Sequence, residues 1–432
     1  MSALAVATRT VKQADCRRRE SRRIARPERV FPGRLTAPLL FALATGVLLG
    51  TGGGQALDPE CLKEMDAAIK LAVEEGAFPG AVLWVEGPGG LHHRGFGSRA
   101  VFPAVEPMTE DTIFDVASLT KVLATIPALM ILQERGRVAL DEPVAAYLPE
   151  FAGRGKEAIT IRQLCTHTSG LARALSPEPD WYDVARAWQG LCAARLACEP
   201  GSKFAYSDLN FILLGRVIER LAGQRLDQFC AAEIFRPLGM SDTGFRPPPA
   251  RASRIAPTEQ IGRTVLRGTV HDPKAQAMGG VAGHAGLFTT AADMARFARM
   301  MLNGGTLDGT RLFTAETVRL MTGWQTAKAL GVRRGLGWDI DSDFSAPRGE
   351  RFPVGSSYGH TGFTGVSLWI DPASMSFWIL LSNRIHPEPA GDLRPLQRRL
   401  GTLAAGAVHA GLSPGRTNRL SSGTTLEADD DN

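Results

Sequence analysis

Between residues 59 and 75, Leu62, Met65, Ile69, Ala72 and Val73 recur at helical spacing with charged residues between them, which predicts an amphipathic helix. Gly76 and Pro79 end it. "AVLWVEG" and "LHHRGFGS" then flank Pro88-Gly89-Gly90 and predict a β-hairpin. "TIFDVA" predicts a short extended piece ahead of a strongly apolar helix, "SLTKVLATIPALMILQERG". From there to about residue 303 the pattern is mostly helical, with long Gly- and Pro-rich loops. Strand patterns return in "GLGWDI", and in "GVSLWIDP" and "SFWILLSN" around Pro372-Ala373. A last helix is expected over roughly 393–411, and no internal repeat is seen. Strands at both ends with helices between them predict an α+β fold, because strands and helices do not alternate. One antiparallel β-sheet is built from the N- and C-terminal parts, the terminal helices cover one face, and the middle is a mostly helical inserted subdomain.

The chain has 432 residues, enough to bury a large core. Its 44% hydrophobic and 22% charged residues exclude a disordered chain and a multi-span membrane protein. The net charge of +5 is unevenly placed. Residues 1–35 hold ten Lys and Arg against three Asp and Glu, which leaves the rest of the chain at −2. The body therefore has no basic surplus with which to bind nucleic acid.

The basic run Arg17-Arg18-Arg19 and Arg22-Arg23 precedes a stretch with no charge between Arg34 and Asp58. With the small-residue site Gly54-Gln55-Ala56, this reads as a secretory signal or, uncleaved, as a single-span anchor. Either places the body outside the cytoplasmic membrane, in the periplasm or anchored facing outward. The expected division is a leader over 1–56, a body over 57–412 and a polar, disordered tail over 413–432. Five cysteines lie in the body, and an odd count argues against a full disulfide framework. Cys192 and Cys198 are spaced closely enough to pair, or are separate small hydrophobes. No Cys or His spacing points to a metal site.

Ser118-Leu119-Thr120-Lys121 is the chain's one Ser-x-x-Lys. A serine at a helix start meets unsatisfied N–H groups and the positive end of the helix dipole. One turn on, the Lys121 amine rises beside its hydroxyl, so a nucleophile and a proton acceptor share one rigid element. For Lys121 to act as a base near pH 7, its pKa must fall by roughly three units, a drop that burial beneath the apolar helix could supply. Tyr206, in the loop before the apolar run "LNFILLG", is the candidate to share that task, the pair titrating as a unit. His360-Thr361-Gly362 opens a β-branched, aromatic run and so lies at a strand edge. The N–H of Phe363, paired with that of Ser118, would form an oxyanion hole. Gly355-Ser356-Ser357-Tyr358-Gly359 also fits a Gly-x-Ser-x-Gly pattern, with Asp371 and His386 following. That pattern belongs on a strand-to-helix turn, whereas here a strand follows. His271-Asp272 with His284 could be taken for a metal site. "GHAG" reads better as a glycine-rich loop near the cleft, with His284 lining it or hydrogen-bonded within it.

Ser118-x-x-Lys121, Tyr206-Ser207-Asp208 and His360-Thr361-Gly362, in this order, resemble the serine β-lactamase and penicillin-recognising superfamily. The nearest branch is that of class C β-lactamases, D-alanyl-D-alanine carboxypeptidases and related esterases. "LCTHTSGL", "GGVAGHAGLFTTAADMARF" and "HTGFTGVSLWIDP" are similar to the same branch, and the likeness spans about 58–411. The resemblance implies an acyl-enzyme on Ser118 with Lys121 and Tyr206 catalytic, and no metal and no organic cofactor. It implies that Asp208, His284, His360, Thr361 and Gly362 meet the substrate. That substrate would be a small ester, peptide or β-lactam, cell-wall peptide included. A membrane would be met through the N-terminal segment if that segment is uncleaved. A penicillin-binding or sensor module that does not turn over is the other reading of the same fold. Two departures bear on substrate. Asp208 stands where the family often has Asn, and an ionised carboxylate can only accept hydrogen bonds; it is also placed to pair with Lys121. His360 stands where Lys is common, and it is mostly neutral at pH 7. Both weaken recognition of a substrate carboxylate and favour ester or peptide over β-lactam hydrolysis.

Overall fold

The computed structural model describes residues 56–173, 184–389 and 391–409. The expected leader, up to residue 55, and the expected tail lie outside the described residues. The first predicted helix is α1, Pro59–Glu74. Asp58 caps it, accepting from the backbone N–H of Glu60 at 2.8 Å, and Pro59 occupies the first turn, where its missing N–H costs nothing. The hairpin follows as β1, Gly80–Gly87, and β2, Gly90–Ala100.

These two strands complete an eight-stranded sheet with β3, Tyr358–Gly362, β4, Val366–Asp371, and β5, Ser376–Ser382. In space the order is 333–334, 339–341, β3, β4, β5, β1, β2, 106–107, with neighbours antiparallel throughout. Leu83 lies opposite Leu380 and Trp369 opposite Trp378, so the N-terminal hairpin is zipped onto the C-terminal strands. Successive residues point to opposite faces and both faces are covered. Ala81, Leu83 and Val85 pack with Met65 and Ile69 of α1 and with Leu400 and Ala404 of the last helix, while Val82 and Trp84 join the main core on the other side. Each fully buried large aliphatic or aromatic side chain contributes about 1.5–3 kcal/mol by leaving water.

The helices on the main-core side are α2, Ile126–Glu134, α3, Asp208–Ala222, and α4, Ala291–Leu302; α5, Arg394–His409, closes the fold against α1. Gly223, at φ 67°, ends α3 in the left-handed conformation that glycine adopts at least cost. The α+β architecture expected from the sequence is therefore observed.

Three local features differ from expectation. The apolar run from Ser118 is not one regular helix: a 3₁₀ turn over Ala117–Leu119 and a wide π-type turn over Lys121–Thr125 lead into α2. "GLGWDI" supplies a strand only over Asp339–Asp341. The middle of the chain also carries an unexpected three-stranded sheet, with Leu287–Thr289 between Phe114–Asp115 and Gly244–Phe245. Strands of two or three residues are too short to leave an alternation in the sequence. Cys61, Cys165, Cys192, Cys198 and Cys230 are all free thiols.

Candidate active site

Ser118 lies on a sharp turn between the Phe114–Asp115 strand and α2. Ala117, just before it, has φ +44°, a left-handed conformation that costs a residue with a Cβ roughly 1–2 kcal/mol. The strand edge opposite comes very close. A Cβ on Gly362 would lie 2.5 Å from the Val116 carbonyl oxygen, so only glycine lets the end of β3 meet the Ser118 turn.

Lys121 sits one turn beyond and is completely buried. Its Nζ donates to Ser118 Oγ at 3.0 Å, to Asp208 Oδ1 at 2.9 Å and to the His284 carbonyl at 3.2 Å. The same helical stretch is fastened to the 283–287 loop twice more: Thr125 Oγ1 donates to Gly283 O at 2.6 Å, and Thr120 Oγ1 accepts from Leu287 N at 3.1 Å. These two threonines carry no signal in the sequence, because a buried threonine in an apolar helix reads as packing.

The charge balance at Lys121 decides between the two sequence expectations. Burial does push the ammonium down, but the Asp208 carboxylate and Tyr206 together outweigh it and leave its pKa above the ordinary lysine value. Of the two alternatives the sequence offered, lowering by burial and pairing with Asp208, the pairing prevails, because the residue standing in place of asparagine brings a full negative charge to 2.9 Å. Burial pushes Asp208 up in turn, but Lys121 and then His284 hold it down at about 2.

Tyr206 flanks this pair, with its ring centroid 5.1 Å from Lys121 Nζ. The segment around it is set by His167, a residue of "LCTHTSGL" to which the sequence assigned no role. The His167 ring stacks on Tyr206 at 4.3 Å between centroids, its Nδ1 accepts the Ser207 N–H at 3.1 Å, and its carbonyl accepts the Ala205 N–H at 2.9 Å. Because Nδ1 is the acceptor, the neutral tautomer carries its hydrogen on Nε2. Burial, with Arg334 and Lys121 nearby, holds this histidine far below its usual pKa and so neutral.

His360 is buried on β3, with Nδ1 donating to the Thr361 carbonyl at 2.7 Å. Burial, followed by the Arg334 and Lys121 charges, also keeps it neutral. His284 is buried and its Nε2 donates to Asp272 Oδ1 at 2.9 Å. Arg334, a second residue without a sequence signal, is fully buried and paired with Asp339 at 2.9 Å. A cavity of about 600 Å³ brings Ser118, Tyr206, Asp208, His284, His360, Thr361, Gly362 and Phe363 to one wall system, with Lys121 beneath. Phe344, Arg334 and Arg384 complete it. Phe363 is stacked on His271 at 5.6 Å and lies under the Arg384 guanidinium at 4.9 Å. Asp208, Asp272 and His284 bring possible ligand atoms within 4.8 Å of one another. The Lys121 ammonium already neutralises Asp208, however, and would repel a divalent ion there.

The Gly-x-Ser-x-Gly stretch forms no second site. Ser357 is wholly buried, donating to Pro353 O at 2.7 Å and accepting from Trp369 Nε1 at 3.1 Å. Asp371 caps its own turn through Ser374, and His386 bonds Thr258 and Val101.

A family model described as Beta-lactamase matches residues 65–402. The chain belongs to the beta-lactamase family. It is similar, at 32% identity over 77% of its length and 84% of the relative's, to an Escherichia coli K12 protein named for D-alanyl-D-alanine carboxypeptidase. It is 34% identical to a Bacillus subtilis protein named N-acetylmuramyl-L-alanine amidase, over 75% of this chain and 81% of that one. Among solved structures it resembles a variant of simvastatin synthase from Aspergillus terreus, with a TM-score of 0.65, 26% identity, and coverage of 82% and 96% of the two chains.

Proposed function

We propose that this member of a hydrolase family forms an acyl-enzyme on Ser118 and hydrolyses an ester or amide bond, as an esterase or D-alanyl peptidase would, with small esters preferred to β-lactams. The observation that carries the reading is the 3.0 Å contact of a buried Lys121 with Ser118 Oγ on one wall of an open cavity. In acylation the Oγ–carbon bond forms, the serine proton passes to the Tyr206–Lys121 pair, and the carbonyl becomes an oxyanion facing the N–H groups of Ser118 and Phe363. Lys121 is the charged member of that pair. Collapse breaks the bond to the leaving oxygen or nitrogen, which takes the proton. Water then attacks the ester, gives its proton to the pair and restores Ser118.

The preference rests on His360. A neutral imidazole, with Nδ1 already donating to Thr361 O, supplies no cation at this position for a substrate carboxylate. A fluorophosphonate should add to Ser118, and p-nitrophenyl esters, which carry no carboxylate, should be turned over faster than nitrocefin in kcat/KM, with a D-alanyl-D-alanine peptide as the third substrate compared. Labelling without turnover of any of the three would instead favour a binding or sensor module.

The export expectation carries over as a proposal, supported by the charge arrangement of the leader. Among the described residues no helix is long and apolar enough to cross a membrane. N-terminal sequencing of the mature protein should begin near Leu57, or should find the leader intact in the membrane fraction. Recovery from the cytoplasm with the leader intact would refute export.

A further inference from the structure

Asp115 lies three residues before Ser118 and is 2% exposed. Its Oδ1 accepts the Ala117 N–H at 2.9 Å, and its Oδ2 accepts the His271 N–H at 2.7 Å from a loop 156 residues away. Its carbonyl accepts the Thr364 hydroxyl at 2.7 Å. One residue thus joins the turn that carries the nucleophile, the loop whose Asp272 holds His284, and the turn after β3. Capping a turn does not require a buried carboxylate, since asparagine or serine serves where one N–H is to be satisfied. Here two N–H groups arrive on two different oxygens, and an asparagine side chain has one acceptor oxygen. The Ala117 bond falls on the residue with φ +44°, the strained point of the turn.

We propose that Asp115 is a positioning residue whose ionised carboxylate holds the Ser118 turn in its reactive conformation and registers it against the 271–272 loop. The proposal rests on the acyl-enzyme reading given above. It has a consequence for pH. Burial raises the Asp115 carboxyl to about 6, against the pull of the His271 and Ala117 N–H groups and of the His271 charge, and Asp272 adds to the rise. Protonation places a hydrogen on one of two oxygens that each face an N–H. Labelling should therefore slow as pH falls through about 6. The other titratable groups near Asp115 are His271, bonded to Glu259 at 2.9 Å, and Asp272 on the 271–272 loop; His360 on β3, which is neutral; and Lys121, which stays charged.

The test follows the rate of fluorophosphonate labelling of Ser118 by intact mass from pH 5 to 9, with thermal melting of each variant. The wild type should show an acid limb near pH 6. Asp115→Asn should label about tenfold or more slowly at pH 7.5 and lose the limb. His271→Asn retains the backbone N–H to Asp115 and should keep the limb. A folded Asp115→Asn protein that labels at the wild-type rate or retains the limb overturns the proposal, as does a limb that vanishes in His271→Asn. If Asp115→Asn does not fold, the wild-type and His271→Asn profiles decide by the same criterion. A wild type with no acid limb also overturns it. No labelling of Ser118 in the wild type at any pH would instead sink the acyl-enzyme reading beneath it.

Discussion

Two serines in this chain sit in sequence patterns that suggest a nucleophile, and their surroundings are opposite. Ser357, itself wholly buried, has its hydroxyl used in both directions, donating to Pro353 O and accepting from Trp369 Nε1. Ser118 faces the cavity, on a strained turn, and a buried ammonium donates to its oxygen. What separates the proposed nucleophile from a structural hydroxyl here is not the spacing of glycines around it. It is the presence of free space in front of the oxygen and a charged, fixed partner behind it.

The largest expected effect breaks this comparison directly. Ser118→Ala should abolish labelling and reduce turnover by a factor on the order of 10⁶, with the melting temperature nearly unchanged. Ser357→Ala should leave labelling intact but destabilise the fold by about 1–3 kcal/mol, because the Trp369 N–H loses its buried acceptor. Labelling and calorimetry of both variants suffice, and the reverse pattern would move the active site to the Gly-x-Ser-x-Gly turn.

Asp208 offers the next test, because it decides how the ammonium behind Ser118 is held. Asp208→Asn removes the largest influence that raises Lys121 and leaves burial to push it down. The pH at which labelling responds to loss of the Lys121 proton should then move down by at least about one unit, and an unchanged profile would show that Asp208 does not govern Lys121. On the acid side Asp208 is depressed to about 2. The stability it contributes is therefore complete above about pH 4 and is lost as pH falls towards 2, at most about 2 kcal/mol before solvent screening. Urea melts of wild type and Asp208→Asn at pH 5 and pH 3 should converge at the lower pH.

Elements with a strong period were legible in the sequence. α1, the hairpin, β4, β5 and α5 were each read close to their observed limits, because their alternation or helical spacing reflects burial on defined faces. Ser118, Lys121, Tyr206 and His360 were found because chemistry-bearing residues stood at informative spacing. The three-stranded sheet that lodges Asp115 beside the 284–287 loop was not found, since its strands are shorter than any period. Nor were His167 and Arg334, whose roles arise from neighbours 39 and 26 residues away in sequence, Tyr206 and His360. The direction of the Lys121 shift was legible only as an alternative between burial and pairing with Asp208. The 2.9 Å from Lys121 to Asp208 decides it, and a one-dimensional pattern does not contain that distance.

The smallest expected effect concerns His360. A lysine at this position would place a cation at the cavity wall and should raise the ratio of nitrocefin to ester hydrolysis, since a charge-assisted hydrogen bond is worth about 1.5–3 kcal/mol. The surroundings oppose it. The site is 4% exposed, and Lys121 and Arg334 already act on it as positive charges, which is part of why His360 itself stays neutral. A third cation there pays desolvation and repulsion before it meets a substrate. The shift in His360→Lys should therefore be less than about tenfold and should be accompanied by a lower melting temperature. Because His360 is held far below its usual pKa, the wild-type ratio should be the same at pH 6 and pH 8. A wild-type ratio that rises towards nitrocefin at pH 6 would mean that His360 gains its proton when the cavity is occupied, and the argument for ester preference would fail with it.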